Sequence, residues 1–326
     1  SRYYNLYLNG LYWGVYMTQE RPGDDFGDSY LGGDNEEFDT LKSSGNQDDY
    51  TTEVSDGNST DWETTYNLAI DVSKDAASNN SSYFELQGLD LSGARDTNLP
   101  VYLDVDNLID YHLLVFYSGS FDGPLSAFNP IVASNNWFGV RNRTRDDRGW
   151  TFLIHDAEHS LGSWPSNTAD RTGPIWGGTV AQQESIARSN PQYIHQYLAN
   201  NNEYKLRFAD AAQREFFNSG ALTNESVLGR LATRKNTVAD VINAEAARWG
   251  DAQDSNQSLR RTDWVNAVSN LEDWIDDRNL AVLAQLKADG LFPTTGAPVF
   301  NQHGGLISPG FFLNIANPNA GGLIYY

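Results

Sequence analysis

Apolar and polar positions alternate along "RYYNLYLNGLYWGVYMTQE", residues 2–20, on both sides of an Asn9-Gly10 pair. A period of two is the pattern of a strand. Asn-Gly supplies the positive φ angles of a tight two-residue turn, so the segment predicts a β-hairpin. Residues 22–60 are rich in turn-forming and acidic residues and read as loop, interrupted by one short apolar piece at Phe38–Leu41. Helical spacing returns at Asp61–Asn79, with Ser59, Thr60 and Asp61 as cap candidates. It recurs in "LDVDNLIDYHLLVFY", residues 103–117, where Leu108, Tyr111, Leu114 and Val115 keep helical register and Asp106 is the expected N-cap. So many apolar positions mark a buried helix, ending near Gly119.

Beyond the loop "SGSFDGPLSAFNPIVASNN" come two strand-like runs, Trp137–Arg143 and Trp150–Ile154, joined by the turn "TRDDRG". The second half predicts helices at Gln182–Ser189, Pro191–Asn200, Asn202–Asn218, Asn224–Glu245 and Arg261–Asp289, the last closed by Gly290 and Pro293. Short strands with Gly and Pro turns then return. That tail is too short for a sandwich and reads as the truncated start of a separate β domain.

Composition narrows the function classes. Apolar residues at 40% and aromatics at 13% exclude a disordered chain. Most aromatics fall in strand and helix patterns, so core packing is their expected role, ahead of carbohydrate stacking. Forty-three acids stand against 22 bases, a net charge of −21, and only five of the bases are lysines. Nucleic acid and anionic membrane surfaces are therefore not expected partners, although a local basic pocket for a phosphate is compatible with this balance. Cysteine is absent, which excludes disulfides and thiolate metal sites. No apolar run approaches the roughly 20 residues of a membrane span, so no direct membrane insertion is expected. Acidity, sparse lysine and abundant Asn, Asp, Ser and Gly suit a secreted or cell-surface setting. Ser1 runs straight into the hairpin pattern without a starting methionine, so the chain is expected to be part of a longer polypeptide.

The densest chemistry lies in "FLIHDAEHSLG", residues 152–162. His155, Glu158 and His159 fit H-x-x-E-H, which binds zinc when a helix brings both imidazoles to one face. Here an apolar strand pattern enters and a glycine leaves, with no evident third ligand, so ordinary packing is the better reading of the two histidines. Asp156 ends an apolar strand just before a turn, where phosphoryl-transfer enzymes hold a metal-binding Asp. That chemistry also needs a carboxylate for the hydroxyl proton, a second oxygen ligand and a cation for the phosphates. Asp122 in the loop after the buried helix, Asn136 at the start of a strand, and Lys42 with Glu20 in the N-terminal β part offer these in order. Taken alone, Asp122 beside Gly123-Pro124 is equally a turn residue, Asn136 a strand-start hydrogen-bonder and Lys42 a solvated lysine. The spaced acids of "GDDFGDSYLGGDNEEFD" offer a structural Ca²⁺ site, without EF-hand spacing, or simply an acidic loop.

The stretches "YLNGLYWGVYMTQE", "FDTLK", "LDVDNLIDYHLL", "FDGPLSAF", "NNWFGVRNR" and "WTFLIHDAEHSLG" occur in the order found in the CotH kinase family, which this chain resembles. "INAEAARWGDA" and "DWVNAVSNLEDWIDDRNLAVLAQLKADGLFP" look like the end of the same domain in large bacterial multidomain proteins. The resemblance implies an α+β, reduced, atypical protein-kinase-like fold over residues 1–292, with an N-terminal β-rich lobe and a helical C-terminal lobe. Residues 297–326 look like the start of a chitobiase-type β-sandwich module. The implied activity is transfer of phosphate from ATP, with Mg²⁺ or Mn²⁺, to Ser or Thr of a surface or extracellular protein. By position, Asp122 corresponds to the catalytic base and Asp156 to the metal-binding Asp, with Asn136 as companion ligand. Lys42 and Glu20 correspond to the phosphate-contacting Lys and its supporting carboxylate. The family's usual W-D-x-D-x-x-F-G is altered: His155 replaces Trp, and Glu158 replaces the second Asp as a metal-ligand candidate. That change leaves open a second reading, a non-catalytic kinase-like module with an adhesion or structural role. A hydrolase using Asp156 and Glu158 is disfavoured, because neighbours on one loop do not flank a bond from both sides.

Overall fold

The structure, a computed structural model, describes residues 2–44, 52–128, 133–145, 147–163, 165–175, 188–254 and 257–325. The expected hairpin forms from β1 (Arg2–Leu8) and β2 (Leu11–Thr18), paired antiparallel. Its turn has Asn9 at φ 50° and Gly10 at φ 81°, the two left-handed residues such a turn requires. The stretch read as loop holds more structure than its composition announces. It contains α1 (Asp24–Leu31), a 3₁₀ turn at Asn35–Glu37 closed by a reciprocal Asp34/Glu37 capping box, β3 (Phe38–Ser43) and β4 (Thr52–Asp56).

Next come α2 (Thr60–Lys74), the unforeseen short α3 (Ser81–Glu85) and α4 (Val105–Ser118). The N-cap of α4 is Asp104, whose carboxylate accepts from Asn107 N at 3.0 Å. The expected cap, Asp106, instead pairs with Arg207 at 2.7 Å. Two short strands, β5 (Leu125–Ser126) and β6 (Ala133–Ser134), form a small ladder before β7 (Trp137–Asn142) and β8 (Thr151–Ile154). The remaining helices are α5 (Pro191–Leu198), α6 (Asn202–Phe216), α7 (Asn224–Val238), α8 (Ile242–Gln253) and α9 (Arg261–Ala288). Asn190, Asn201 and Thr223 cap α5, α6 and α7 through their side chains. The single helix expected over Asn224–Glu245 is thus broken in two, and Arg261 donates to the freed Ala239 carbonyl at the break. The helix expected at Gln182–Ser189 lies mostly outside the described residues.

The fold is α+β. Its main sheet has the order β4-β3-β7-β8, antiparallel throughout. Register sets Lys42 opposite both Glu53 and Phe138, and Trp137 opposite Ile154. The end of β3, the start of β7 and the end of β8 therefore emerge at one edge of the sheet. Trp62 of α2 stacks on Trp137 at 5.2 Å and meets Trp150 edge-on at 5.5 Å, which binds the helices to the sheet. Most side chains of α4 are buried, as for a helix surrounded by partners. Leu291 and Phe292 are the last residues of the core. Beyond them β9 (Val299–Phe300) pairs with β10 (Ile315–Ala316), and Leu306, Phe312 and Tyr325 are exposed.

A buried histidine pair sits against α4. His112 and His195 stack at 4.6 Å. His112 Nδ1 donates to Leu108 O at 2.8 Å, and His195 Nδ1 meets the Tyr204 hydroxyl at 2.6 Å. Burial pushes His112 down to about 4 and His195 well below its ordinary range, with His112 adding to the second shift. Both rings stay neutral in the fold, whereas the unfolded chain protonates them near pH 6.5. Stability from this pair is therefore complete above that pH and declines as pH falls below it. The expected loss at pH 5 is about 2 kcal/mol for His112, with a further loss of the same sign from His195. Chemical denaturation across pH 5–7.5 should show this slope, and His112→Asn should remove roughly one proton's worth of it.

Candidate functional site

The site begins where α4 stops. Gly119 takes φ 62° as a left-handed C-cap, and its missing side chain leaves room for Pro165 and Arg278, within 3.3–3.5 Å of where a Cβ would stand. The loop that follows is stitched to the segment after β8 by two backbone bonds, Phe121 N to His159 O at 3.0 Å and Leu161 N to Ser118 O at 2.8 Å. Asp122 therefore lies beside "HDAEHSLG" although the two are distant in sequence.

The Asp122 carboxylate accepts from the Ser126 hydroxyl on one oxygen and from Asn136 Nδ2 on the other, at 3.0 Å. The same amide also donates to Asp156 O at 3.4 Å. Both amide hydrogens are used, which leaves the Asn136 carbonyl oxygen as the atom able to face a cation. Asn136 and Asp156 have φ angles of 49° and 47°. The left-handed region admits Asn and Asp more readily than other residues with a Cβ. A single amide thus brings Asp122, Asn136 and the Asp156 backbone together. The Asp156 side chain is exposed and takes no hydrogen bond among the described residues.

A cleft of about 480 Å³ opens at this edge of the sheet, lined by Lys42, Glu20, Arg21, Asn136 and His155 among others. Its size falls within the range of small-molecule sites. Two cationic side chains, Lys42 and Arg21, stand in its lining beside the single acid Glu20, in a chain of net charge −21, which makes it a fitting place for an anion. Lys42 Nζ pairs with Glu53 at 3.1 Å, its cross-strand neighbour on β4. Glu20 accepts from the Tyr30 hydroxyl at 2.5 Å, and this bond pushes the Tyr30 phenol up. His155 packs edge-on against Phe138 at 4.9 Å. Glu158 is elsewhere: it meets His159 at 3.3 Å and lines a separate 530 Å³ cavity against Leu271 and Trp274.

Among the described residues no three His, Asp or Glu side chains converge to hold an ion. Two acids of the N-terminal stretch have other partners: Asp25 accepts from Asn35, and Asp39 from Arg143 and Asn58. The donor set near Asp156 is therefore one carboxylate and one amide oxygen. That suits Mg²⁺, which takes few protein ligands alongside nucleotide phosphates and water. Sequence reading missed Glu53 and Ser126. An alternating "TTEV" pairing back on "TLKS" would have signalled the first.

Replacing Asn136 with Val places a β-branched side chain in the left-handed region. Denaturant unfolding should show a loss of about 1–2 kcal/mol. Asn136→Asp keeps the conformation and should be better tolerated in fold, while setting a second carboxylate against Asp122.

No curated protein and no solved structure is similar enough to match this chain. The family model described as CotH kinase protein matches residues 1–282, from the hairpin into α9, and includes Glu20, Lys42, Asp122, Asn136 and Asp156. With most of its length matched, this chain belongs to the CotH kinase protein family.

Proposed function

We propose that the cleft transfers the terminal phosphoryl group of ATP to a Ser or Thr hydroxyl of a surface or extracellular protein. The observation that carries this reading is the Asn136 amide, which bonds both the Asp122 carboxylate and the Asp156 peptide while Asn136 itself lines the cleft with Lys42; Asp122 and Asp156 are not part of that lining. The sheet carrying Lys42 serves as the reduced β-rich lobe of a kinase, and the helices built around α4 serve as its helical lobe.

Asp122 is the base that receives the acceptor hydroxyl proton. Its two hydrogen bonds leave lone pairs free for that contact. Lys42 supplies positive charge for the phosphates and is held in the cleft by Glu53. Glu20 lines the same cleft and is fixed by Tyr30. Asp156 and the Asn136 carbonyl are the groups that would hold Mg²⁺ or Mn²⁺, which when bound neutralises charge on the phosphates. Glu158 belongs to the loop beyond the metal position. The tail fits the opening of a β-sandwich module: one strand pair forms, and the large apolar side chains around it are exposed.

A second reading, a non-catalytic kinase-like module of a bacterial surface protein, draws support from Glu158. With its side chain at another cavity, Asp156 is left as the carboxylate proposed for the metal. Scarcity of ATP outside cells points the same way.

Incubation with Mg²⁺ or Mn²⁺, γ-labelled ATP and a Ser-rich acceptor polypeptide separates the two. Wild type should label the acceptor, and Asp122→Asn should lower the rate about 10²–10⁴-fold with nucleotide binding kept. Equal labelling by Asp156→Ala would remove the site assignment. No transfer, together with no thermal shift on adding ATP, would remove the kinase reading. Lys42→Ala should weaken nucleotide binding by about 10–100-fold in calorimetry, the scale of one charge-assisted hydrogen bond.

A further inference from the structure

We propose that Arg171 is a positioning residue for Asp122, locking the loop of the candidate base onto a segment held by α9. The inference rests on the reading of Asp122 as the base. Arg171 Nη2 donates to Leu125 O, inside the turn that runs from Asp122 to Ser126. Ser126, next in sequence, donates its hydroxyl to the Asp122 carboxylate, so anchoring Leu125 anchors that bond too.

The anchor is itself fixed. Trp274 Nε1 donates to Pro165 O at 3.1 Å, and Arg278 Nη1 donates to Asn167 O and Ala169 O, both at 2.8 Å. Gln285 Nε2 reaches Thr168 O at 2.9 Å, and the Thr172 hydroxyl donates to Asp289 just past the helix end. Five hydrogen bonds, from Trp274, Arg278 and Gln285 on α9 and to Asp289 at its C-cap, tie down residues 165–172, with Arg171 directed at the base loop.

The Arg171 side chain is half-buried, and Leu125 O is its acceptor on the base loop. Its Nε is a buried donor without a hydrogen-bond partner among the described residues. Burial pushes Arg171 down to about 10, and the carboxylates of Asp122 and then Asp170 oppose the shift. Asp122 thus has neutral donors on its oxygens, from Ser126 and Asn136, and its loop is tied by the Arg171 guanidinium at Leu125. A planar fork on a short tether suits this position better than a lysine.

The test uses the whole chain with Arg171→Ala and Arg171→Lys. Turnover with ATP and acceptor should fall about 10²-fold in Arg171→Ala, the cost of a small misplacement of a reacting group, while KM for ATP stays within about 2-fold. Arg171→Lys should retain more turnover, and added guanidinium at non-denaturing concentration should restore part of the Arg171→Ala loss. The crystal structure of Arg171→Ala should show the Asp122 to Asn136 bond broken, with residues 165–170 still on α9. Unchanged turnover with that bond intact would overturn the proposal, as would loss of turnover that guanidinium does not rescue while Asp122 stays in place. If wild type transfers no phosphate, the kinase reading fails, and the crystallographic comparison alone decides whether Arg171 positions Asp122. Should Arg171→Ala not fold, Arg171→Lys supplies the same kinetic and crystallographic comparison.

Discussion

Arg278 has no exposure to solvent and, among the described residues, no carboxylate bonded to it. All its bonds go to backbone carbonyls: Phe116 and Tyr117 at the end of α4, and Asn167 and Ala169 in the segment after β8. A buried charge is costly unless its donors are satisfied. The last carbonyls of a helix lack partners and carry partial negative charge, so they suit a cation. Burial still pushes the Arg278 guanidinium down to about 10. This one side chain therefore holds together the exit of α4, the segment that follows the strand-end aspartate, and α9. The loop of Asp122 begins where α4 exits.

The candidate site is assembled from backbone ends. Antiparallel register brings the ends of β3, β7 and β8 to a common edge, and backbone bonds join the α4 exit to the loop beyond β8. The Asn136 amide then bridges the two loops. Rigid elements thus deliver each group, and short polar contacts set the final orientation, as a preorganised site requires. Asn136 and Asp156, two of the non-glycine residues in the left-handed region, are both candidate metal ligands, and functional sites are where backbone strain tends to be kept.

Much of this was legible in the chain because the signals are local. Asn9-Gly10 marks its hairpin through the turn it alone favours, and α4 declares itself through a long periodic apolar pattern. Asp122, Asn136 and Asp156 were singled out by their places at the ends of elements, and the fold brings their loops together. What escaped depends on distance or on direction. α1 buries only Gly27 among its residues, so its apolar pattern is too weak to stand out among turn-formers. The cap of α4 lies two residues earlier than expected, because either of two aspartates can serve and tertiary pairing with Arg207 draws Asp106 away. The family resemblance implies Glu20 as the carboxylate supporting Lys42, whereas strand register sets Glu53 across from it, and register is a long-range property. Glu158 is two positions from Asp156, yet an irregular loop sets it in a cavity against α9. Arg171 has no motif at all. Its place follows only from the face of α9 that holds its segment.

The central claim is that Asp156 and Asn136 form the metal end of a nucleotide cleft whose other end is Lys42. The most direct measurement is an anomalous-difference map of the crystalline protein soaked with Mn²⁺ and a non-hydrolysable ATP analogue. The account predicts a manganese peak on the Asp156 carboxylate with the analogue's phosphates beside Lys42. An empty cleft at saturating nucleotide, or manganese bound only on the Glu158 side of the loop, would contradict it.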